Sequence, residues 1–298
     1  MRAAVLTRYG DVDALELRDV EDPRPKDGEI KLRVVAAGLN ALDLKILSGA
    51  VKAWFPQKLP SILGFEASGV VAELGAGVSG FTVGDRVFGQ VRHSFAEEAT
   101  APATALARTP GDVPPIEAAA IPVVGLTGAQ LIEEAVQPKP GARVLVTGAL
   151  GSVGRVAVHV ARQLRARVIA GVRGRRASEA AELGADEVLA LDDPAAIERL
   201  APVDAIADTV GGEVIGQLLP RLREGGVLGT VIAAPAGVKE RIAVRSINAH
   251  ADPRRLVELA EEVSRGAFAL PITGHFPLTD VREAFRRARD GGKVLLTF

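Results

Sequence analysis

Three glycines at three-residue spacing, Gly148, Gly151 and Gly154, follow the apolar run Val144-Leu145-Val146 and open a stretch of helical periodicity that runs to Ala161. Strand, glycine turn and helix form a dinucleotide-binding βαβ entry, in which backbone N–H groups at a helix start face a pyrophosphate. Ser152 and Val153 fall at that start, where N–H groups lack helical partners. The spacing is G-x-x-G-x-x-G, not G-x-G-x-x-G, so an ordinary strand-to-helix turn needing positive φ is the alternative reading.

In such a unit, an Asp or Glu at the end of the second strand binds the ribose 2′-OH. That strand reads Arg167-Val-Ile-Ala-Gly171, and no acid occurs between Gly154 and Glu179. Arg173, Arg175 and Arg176 stand there instead. A guanidinium complements a 2′-phosphate, with bidentate geometry available. The sequence therefore predicts NADPH as cofactor. Arg173 and Arg176 are the chosen ligands, because the start of the loop and the start of the next helix should both face the adenosine. The competing reading is a solvated arginine loop.

Two kinds of element must position these groups. Residues 1–110 carry short apolar segments (Ala3–Leu6, Ile30–Ala36, Gly69–Leu74, Arg86–Phe88) separated by turn clusters, which points to a barrel or sandwich. One helix-like segment, Ala41–Leu47, interrupts them. After Pro114-Pro115 the stretch 116–135 reads as one or two helices broken near Pro122 and Gly125. Strands are then expected at 143–147, 167–171, 187–190, 203–208 and 227–232, and helices at 152–164, 176–183, 194–200 and 213–220. That alternation is the doubly wound α/β signature. The tail adds amphipathic helices at Pro253–Ser264 and Val281–Ala288, the second capped by Thr279 or Asp280, with Glu283 in capping-box position relative to Asp280. Strands at Ile272–Phe276 and Lys293–Phe298 complete the tail, which is expected to return to the first domain.

With 298 residues, 48% of them hydrophobic, and a net charge of −1, the chain has room for two domains and shows no basic face for nucleic acid. Its start lacks an apolar leader core, and no apolar run approaches the ~20 residues of a membrane span. The expectation is a cytoplasmic protein with neither membrane nor nucleic-acid partner. Cysteine is absent, which excludes disulfides, thiolate nucleophiles and Cys-ligated zinc. The four histidines, His93, His159, His250 and His275, are scattered, so no metal site is expected.

Further motifs occur in order: Asn40-Ala-Leu-Asp-Leu-Lys45, Leu63-Gly-Phe-Glu-Ala-Ser-Gly-Val-Val71, Val83-Gly-Asp-Arg-Val87 and Gly125-Leu-Thr-Gly-Ala129. After the glycine turn come Leu183-Gly-Ala-Asp186, Asp208-Thr-Val-Gly-Gly212 and Gly291-Gly-Lys-Val-Leu-Leu296. Together they resemble the zinc-free quinone oxidoreductase branch of the medium-chain dehydrogenase/reductase superfamily, the zeta-crystallin-like proteins. The resemblance implies a GroES-like β-barrel catalytic domain from both chain ends, 1–115 and 266–298. It implies a Rossmann domain, 116–265, between them, a cofactor and substrate cleft between the domains, and a homodimer through Rossmann sheet edges. Many relatives carry Tyr after the Asp of the N-x-x-D motif, where this chain has Lys45, and Asp at position 66, where it has Glu66. The stretch from Thr230 to Ala251 is short, which leaves less chain around the substrate mouth.

By match to the family motif, Asn40 is expected near the nicotinamide and acceptor, Asp43 fixes that loop, Lys45 is a candidate proton donor, and Thr127 holds the nicotinamide side. Each has a structural alternative. Asn40 caps a helix, Asp43 favours its dipole, Lys45 is a solvated cation, and Thr127 starts a helix. Trp54 is read as lining the substrate mouth or packing in the core or rim. Without zinc no strong Lewis acid polarises an alcohol, so reduction of a quinone or an α,β-unsaturated carbonyl by hydride from NADPH is the expected reaction. An enoyl thioester reductase and a non-enzymatic NADPH-binding protein are the alternatives.

Overall fold

The computed structural model of the chain describes residues 1–233, 238 and 242–298. It divides into two compact units, Met1–Val123 with Ala251–Phe298, and Val124–His250. The fold class is mixed α/β, with a Rossmann-like parallel sheet in the second unit and largely antiparallel sheets in the first. Helix Pro253–Ser264, which the sequence boundary at 265 puts in the middle domain, groups here with the chain ends. It packs on strand Leu106–Arg108, and its Leu256, Leu259 and Ala260 are buried.

In the Val124–His250 unit, six parallel strands lie in the order Glu187–Ala190, Arg167–Val172, Arg143–Thr147, Val203–Asp208, Leu222–Thr230, Ala243–Ser246. The central strands carry continuous apolar runs because helices cover both faces of a parallel sheet. Leu145, Ile169, Ile206 and Leu228 are buried in its core. The strand expected at 227–232 is longer at its start and stops at Thr230. Ala243–Ser246, unforeseen in the sequence, is a short edge strand with mostly exposed side chains, so it lacks the apolar run that marks its neighbours. Of the 230–251 stretch, residues 234–237 and 239–241 lie outside the described residues.

The 116–135 region breaks before Pro122 but not at Gly125. Helix Pro122–Gln130 runs through that glycine and continues as a π-helical turn, Leu131–Val136. Proline is tolerated in a helix's first turn. Gly128, one turn further on, is required by packing, since a Cβ there would lie 2.6 Å from Val156 Cβ.

In the other unit, strand Glu29–Leu39 is the hub of a large sheet. It pairs antiparallel with Glu66–Leu74, Glu98–Pro102 and the closing strand Lys293–Thr297, which in turn pairs with Ile272–Pro277. A three-stranded sheet of Leu15–Asp19, Arg2–Leu6 and Ser61–Ile62 accompanies it. The returning tail also supplies helix Val281–Ala288, whose Phe285 meets Phe95 edge-on at 6.0 Å in the core. The capping box expected there does not form: Glu283 binds Arg286, and Asp280 makes no side-chain cap bond. A 3-10 turn, Leu278–Asp280, leads straight into the helix and leaves Asp280 at ψ 24°, not in the extended form an N-cap needs.

Candidate active site

Strand Arg143–Thr147 ends at Gly148, whose φ of +63° suits glycine. The Gly151 N–H donates to the Gly148 carbonyl at 2.8 Å and closes the turn. Helix Ser152–Gln163 then starts with no side chain capping it. The first-turn N–H groups of Ser152, Val153 and Gly154 are thus left to solvent or a ligand. A Cβ on Gly154 would lie 2.2 Å from the Gly148 carbonyl oxygen, so the turn closes this tightly only on glycine. All five glycine-turn residues expected to hold a pyrophosphate sit on one local feature.

The arginines follow strand Arg167–Val172. Arg173 precedes a single 3-10 turn, Gly174–Arg176, and both Arg173 and Arg176 are exposed. Arg176 grips Glu179 in a bidentate pair, Nε to Oε1 at 3.0 Å and Nη2 to Oε2 at 2.7 Å. The Gly174 N–H donates to Asp192 Oδ1 at 2.7 Å. Acids therefore do approach this loop, but one is bound to a guanidinium and the other to backbone. Arg155, which the sequence reading did not single out, joins the group. Its Nε donates to the Leu150 carbonyl at 3.1 Å, folding the side chain back over the glycine turn. Burial first, and then the positive charge of Arg176, hold its pKa below the ordinary arginine value. Its position directly after Gly154 was the available signal.

Asp208 ends strand Val203–Asp208 and is 1% exposed. Its Oδ1 accepts from Thr147 Oγ1 at 2.8 Å and from the Val210 and Gly211 N–H groups at 3.0 Å, and its Oδ2 from Thr230 Oγ1 at 3.1 Å. One carboxylate thus ties the ends of three adjacent strands to the loop that follows. The sequence showed this aspartate only as part of a motif. Its partners are 61 and 22 residues away, out of reach of local reading.

The other unit buries a second polar cluster. Helix Ala41–Ser48 follows Asn40, whose backbone N–H donates to Asp43 Oδ2 at 2.8 Å. Asp43 Oδ1 accepts from the Gly64 N–H at 3.2 Å. Burial drives the Asp43 pKa up to about 7, opposed by the Asn40 N–H and the Lys293 charge, reinforced by Glu66, and opposed again by the Gly64 N–H. The Asn40 side chain turns inward. Its Nδ2 donates to Glu66 Oε1 at 2.7 Å and to the Gly38 carbonyl at 3.3 Å, and its Oδ1 accepts from Lys293 Nζ at 2.8 Å. Lys293 also binds Glu66 Oε1 directly, and Glu66 Oε2 accepts from the Val123 N–H at 2.6 Å. Gly38 makes room for this: a Cβ there would lie 2.3 Å from Glu66 Oε1.

Asn40 and Asp43 are thus brought together, with Glu66 and Lys293 as unforeseen partners. Lys45 is exposed on the same helix, outside the cluster. Thr127 is half-buried on helix Pro122–Gln130 and belongs to the other unit. Trp54 is 75% exposed, so the core-packing reading is corrected.

Residues 26–112 match the alcohol dehydrogenase GroES-like domain, and residues 183–296 match the zinc-binding dehydrogenase family. The donors of this chain do not fit a zinc ion. It has no cysteine, no group of three metal-binding side chains forms among the described residues, and the Glu66 carboxylate is already paired with Lys293. A chloroplast envelope quinone oxidoreductase homolog of Arabidopsis thaliana is 31% identical, over 99% of this chain and 98% of that protein. The quinone oxidoreductase from Coxiella burnetii overlays with a TM-score of 0.91 at 26% identity, covering 100% of this chain and 99% of that one. A mycobacterial protein solved in complex with NADPH overlays with a TM-score of 0.85 at 28% identity, covering 100% of both chains. Two matched domains, a relative aligned over nearly its whole length and the shared fold place this chain in the medium-chain dehydrogenase/reductase superfamily, in its quinone oxidoreductase branch.

Proposed function

We propose that this oxidoreductase uses NADPH to reduce a quinone or an α,β-unsaturated carbonyl by hydride transfer. The observation that carries the reading is the uncapped glycine turn at Gly148–Gly154 beside the arginines that follow the next strand. NADPH, when bound, supplies the hydride from its nicotinamide. The N–H groups of Ser152, Val153 and Gly154 bind the pyrophosphate. Arg173 and Arg176 meet the 2′-phosphate, and the exposed Arg176 exchanges its Glu179 partner for it.

The family resemblance assigns Asn40 and Thr127 to the nicotinamide end and Asp43 to the loop. In this chain both Asn40 amide hydrogens are already used, so Asn40 serves as an acceptor through Oδ1 and not as a donor to developing oxyanion charge. The exposed Lys45 takes the donor role. A homodimer through the Rossmann sheet edge is part of the same proposal, and light scattering checks it.

Steady-state NADPH oxidation across benzoquinones, enones and crotonyl thioesters tests the reading. Turnover should be highest on quinones or enones. A preference for the thioesters replaces the proposal with an enoyl reductase, and NADPH binding without turnover on any acceptor sinks the enzymatic reading.

A further inference from the structure

We infer that Lys293 is a positioning residue for the hydride-transfer step, acting through the side-chain amide of Asn40; this rests on the role given to Asn40 above. Lys293 is the first residue of the closing strand and Glu66 the first of strand Glu66–Leu74, yet both side chains are shut off from solvent, 2% and 0% exposed. An ammonium only donates and a carboxylate only accepts. With Lys293 Nζ against Oδ1 and Glu66 Oε1 against Nδ2, the Asn40 amide has one orientation that satisfies both partners. Flipping it would set Nδ2 against Lys293 and Oδ1 against Glu66, two repulsive contacts in a buried site.

Glu66 binds Lys293, Asn40 and the Val123 N–H at once, so the amide is held between strand Glu29–Leu39, the closing strand and the first turn of helix Pro122–Gln130. Lys293 and Glu66 meet at this one amide, and Val123 joins through the other Glu66 oxygen. Lys293 thereby fixes which atom of the Asn40 amide faces which partner.

The chain contains two asparagines, Asn40 and Asn248. Protein labelled with nitrogen-15 at asparagine therefore gives two side-chain amide pairs, which Asn40→Ala assigns. In the cofactor-free wild type, the Asn40 amide hydrogens should exchange slowly with solvent. In Lys293→Met their exchange should speed up at least about tenfold. The same variant should lose about tenfold in kcat, with NADPH affinity unchanged within about twofold. Asn40→Ala should lose as much, and the double variant no more than either single one.

Unchanged amide protection in Lys293→Met overturns the inference without reference to turnover. Multiplying kcat losses in the double variant also overturn it, since they show Lys293 acting apart from Asn40. If Lys293→Met does not fold, Lys293→Arg, which keeps the buried charge and moves the donor, carries the same readouts and expected directions. Full kcat in Asn40→Ala, with the amide still protected in wild type, instead refutes the role of Asn40 in the proposed reaction and leaves the orienting contact standing.

Discussion

Glu66 and Lys293 lie 227 residues apart and form an ion pair with both side chains almost wholly buried. The pair exists because the closing strand returns to Leu39, Gly38, Ala37 and Ala36, placing its first residue beside the end of strand Glu29–Leu39. Desolvating two charges is costly, and the cost is offset only where every remaining polar atom finds a partner. Here Asn40 and the Val123 N–H supply those partners.

The pair depends on the missing side chain at position 38. Gly38→Ala would press a methyl group into Glu66 Oε1 and the Ala119 carbonyl, 2.3 and 2.7 Å away. We expect a loss of about 1–3 kcal/mol of stability, as for overpacking elsewhere. Adding Glu66→Asp, one methylene shorter, should recover part of that loss, measured by urea unfolding of both single variants and the double. Strictly additive losses would show that the alanine does not act through Glu66.

Stability should fall between about pH 4 and pH 7 because of Asp43. Its carboxyl releases a proton near 3.8 in an ordinary setting but only at about 7 when buried here. Between those values the native state holds the extra proton, so unfolding becomes easier as pH rises through the window. The gap corresponds to about 4 kcal/mol. Asp43→Asn cannot titrate, so the wild type should lose stability relative to this variant from pH 4 to pH 7 and run parallel above it. A constant difference across the window would refute the buried, protonated carboxyl.

Asp208 predicts a different response. Asp208→Ala would take the shared acceptor from the Thr147 hydroxyl and two loop N–H groups, while the Thr230 hydroxyl keeps the Ile232 carbonyl. Leaving several such groups unsatisfied should cost about 3–5 kcal/mol in thermal or urea unfolding. Thr230→Val removes one donor and should cost about 1 kcal/mol. Equal losses in the two variants would show that the carboxylate is not the shared partner.

The parallel sheet was legible in the sequence where a strand is buried on both faces. Arg143–Thr147 and Val203–Asp208 were bounded to the residue, because apolar runs between turn residues mark such strands. Ala243–Ser246 was not legible, since an exposed edge strand carries no such run. The glycine turn could be read because its geometry is local: the Gly148 φ and the approach of Gly154 involve residues six apart. The Asn40, Glu66 and Lys293 cluster could not, because each residue is ordinary in its own segment and gains meaning only when the closing strand pairs. Asp280 and Glu283 fit a capping pattern, but a preceding 3-10 turn set the wrong backbone angle for it.

In the proposed function the cofactor preference is set at Arg173 and Arg176. Both are exposed, and the Glu179 carboxylate that Arg176 holds marks the kind of anion its fork accepts. A charge-assisted bond to a 2′-phosphate contributes about 1.5–3 kcal/mol at best, and exposure reduces it. Arg173→Ala with Arg176→Ala should therefore cut the NADPH-to-NADH affinity ratio by about tenfold to a hundredfold. NADH affinity should change little, because NADH carries no 2′-phosphate and the glycine turn proposed for its pyrophosphate is intact. Raising salt should shrink the wild-type preference and leave the variant nearly flat, since exposed ion pairs are screened. Glu179→Gln should move the ratio the other way by freeing Arg176 from its internal partner. Fluorescence titrations of both nucleotides at two ionic strengths supply all of these readings. A wild type without NADPH preference, or a double variant that keeps it, would show that the 2′-phosphate is met elsewhere.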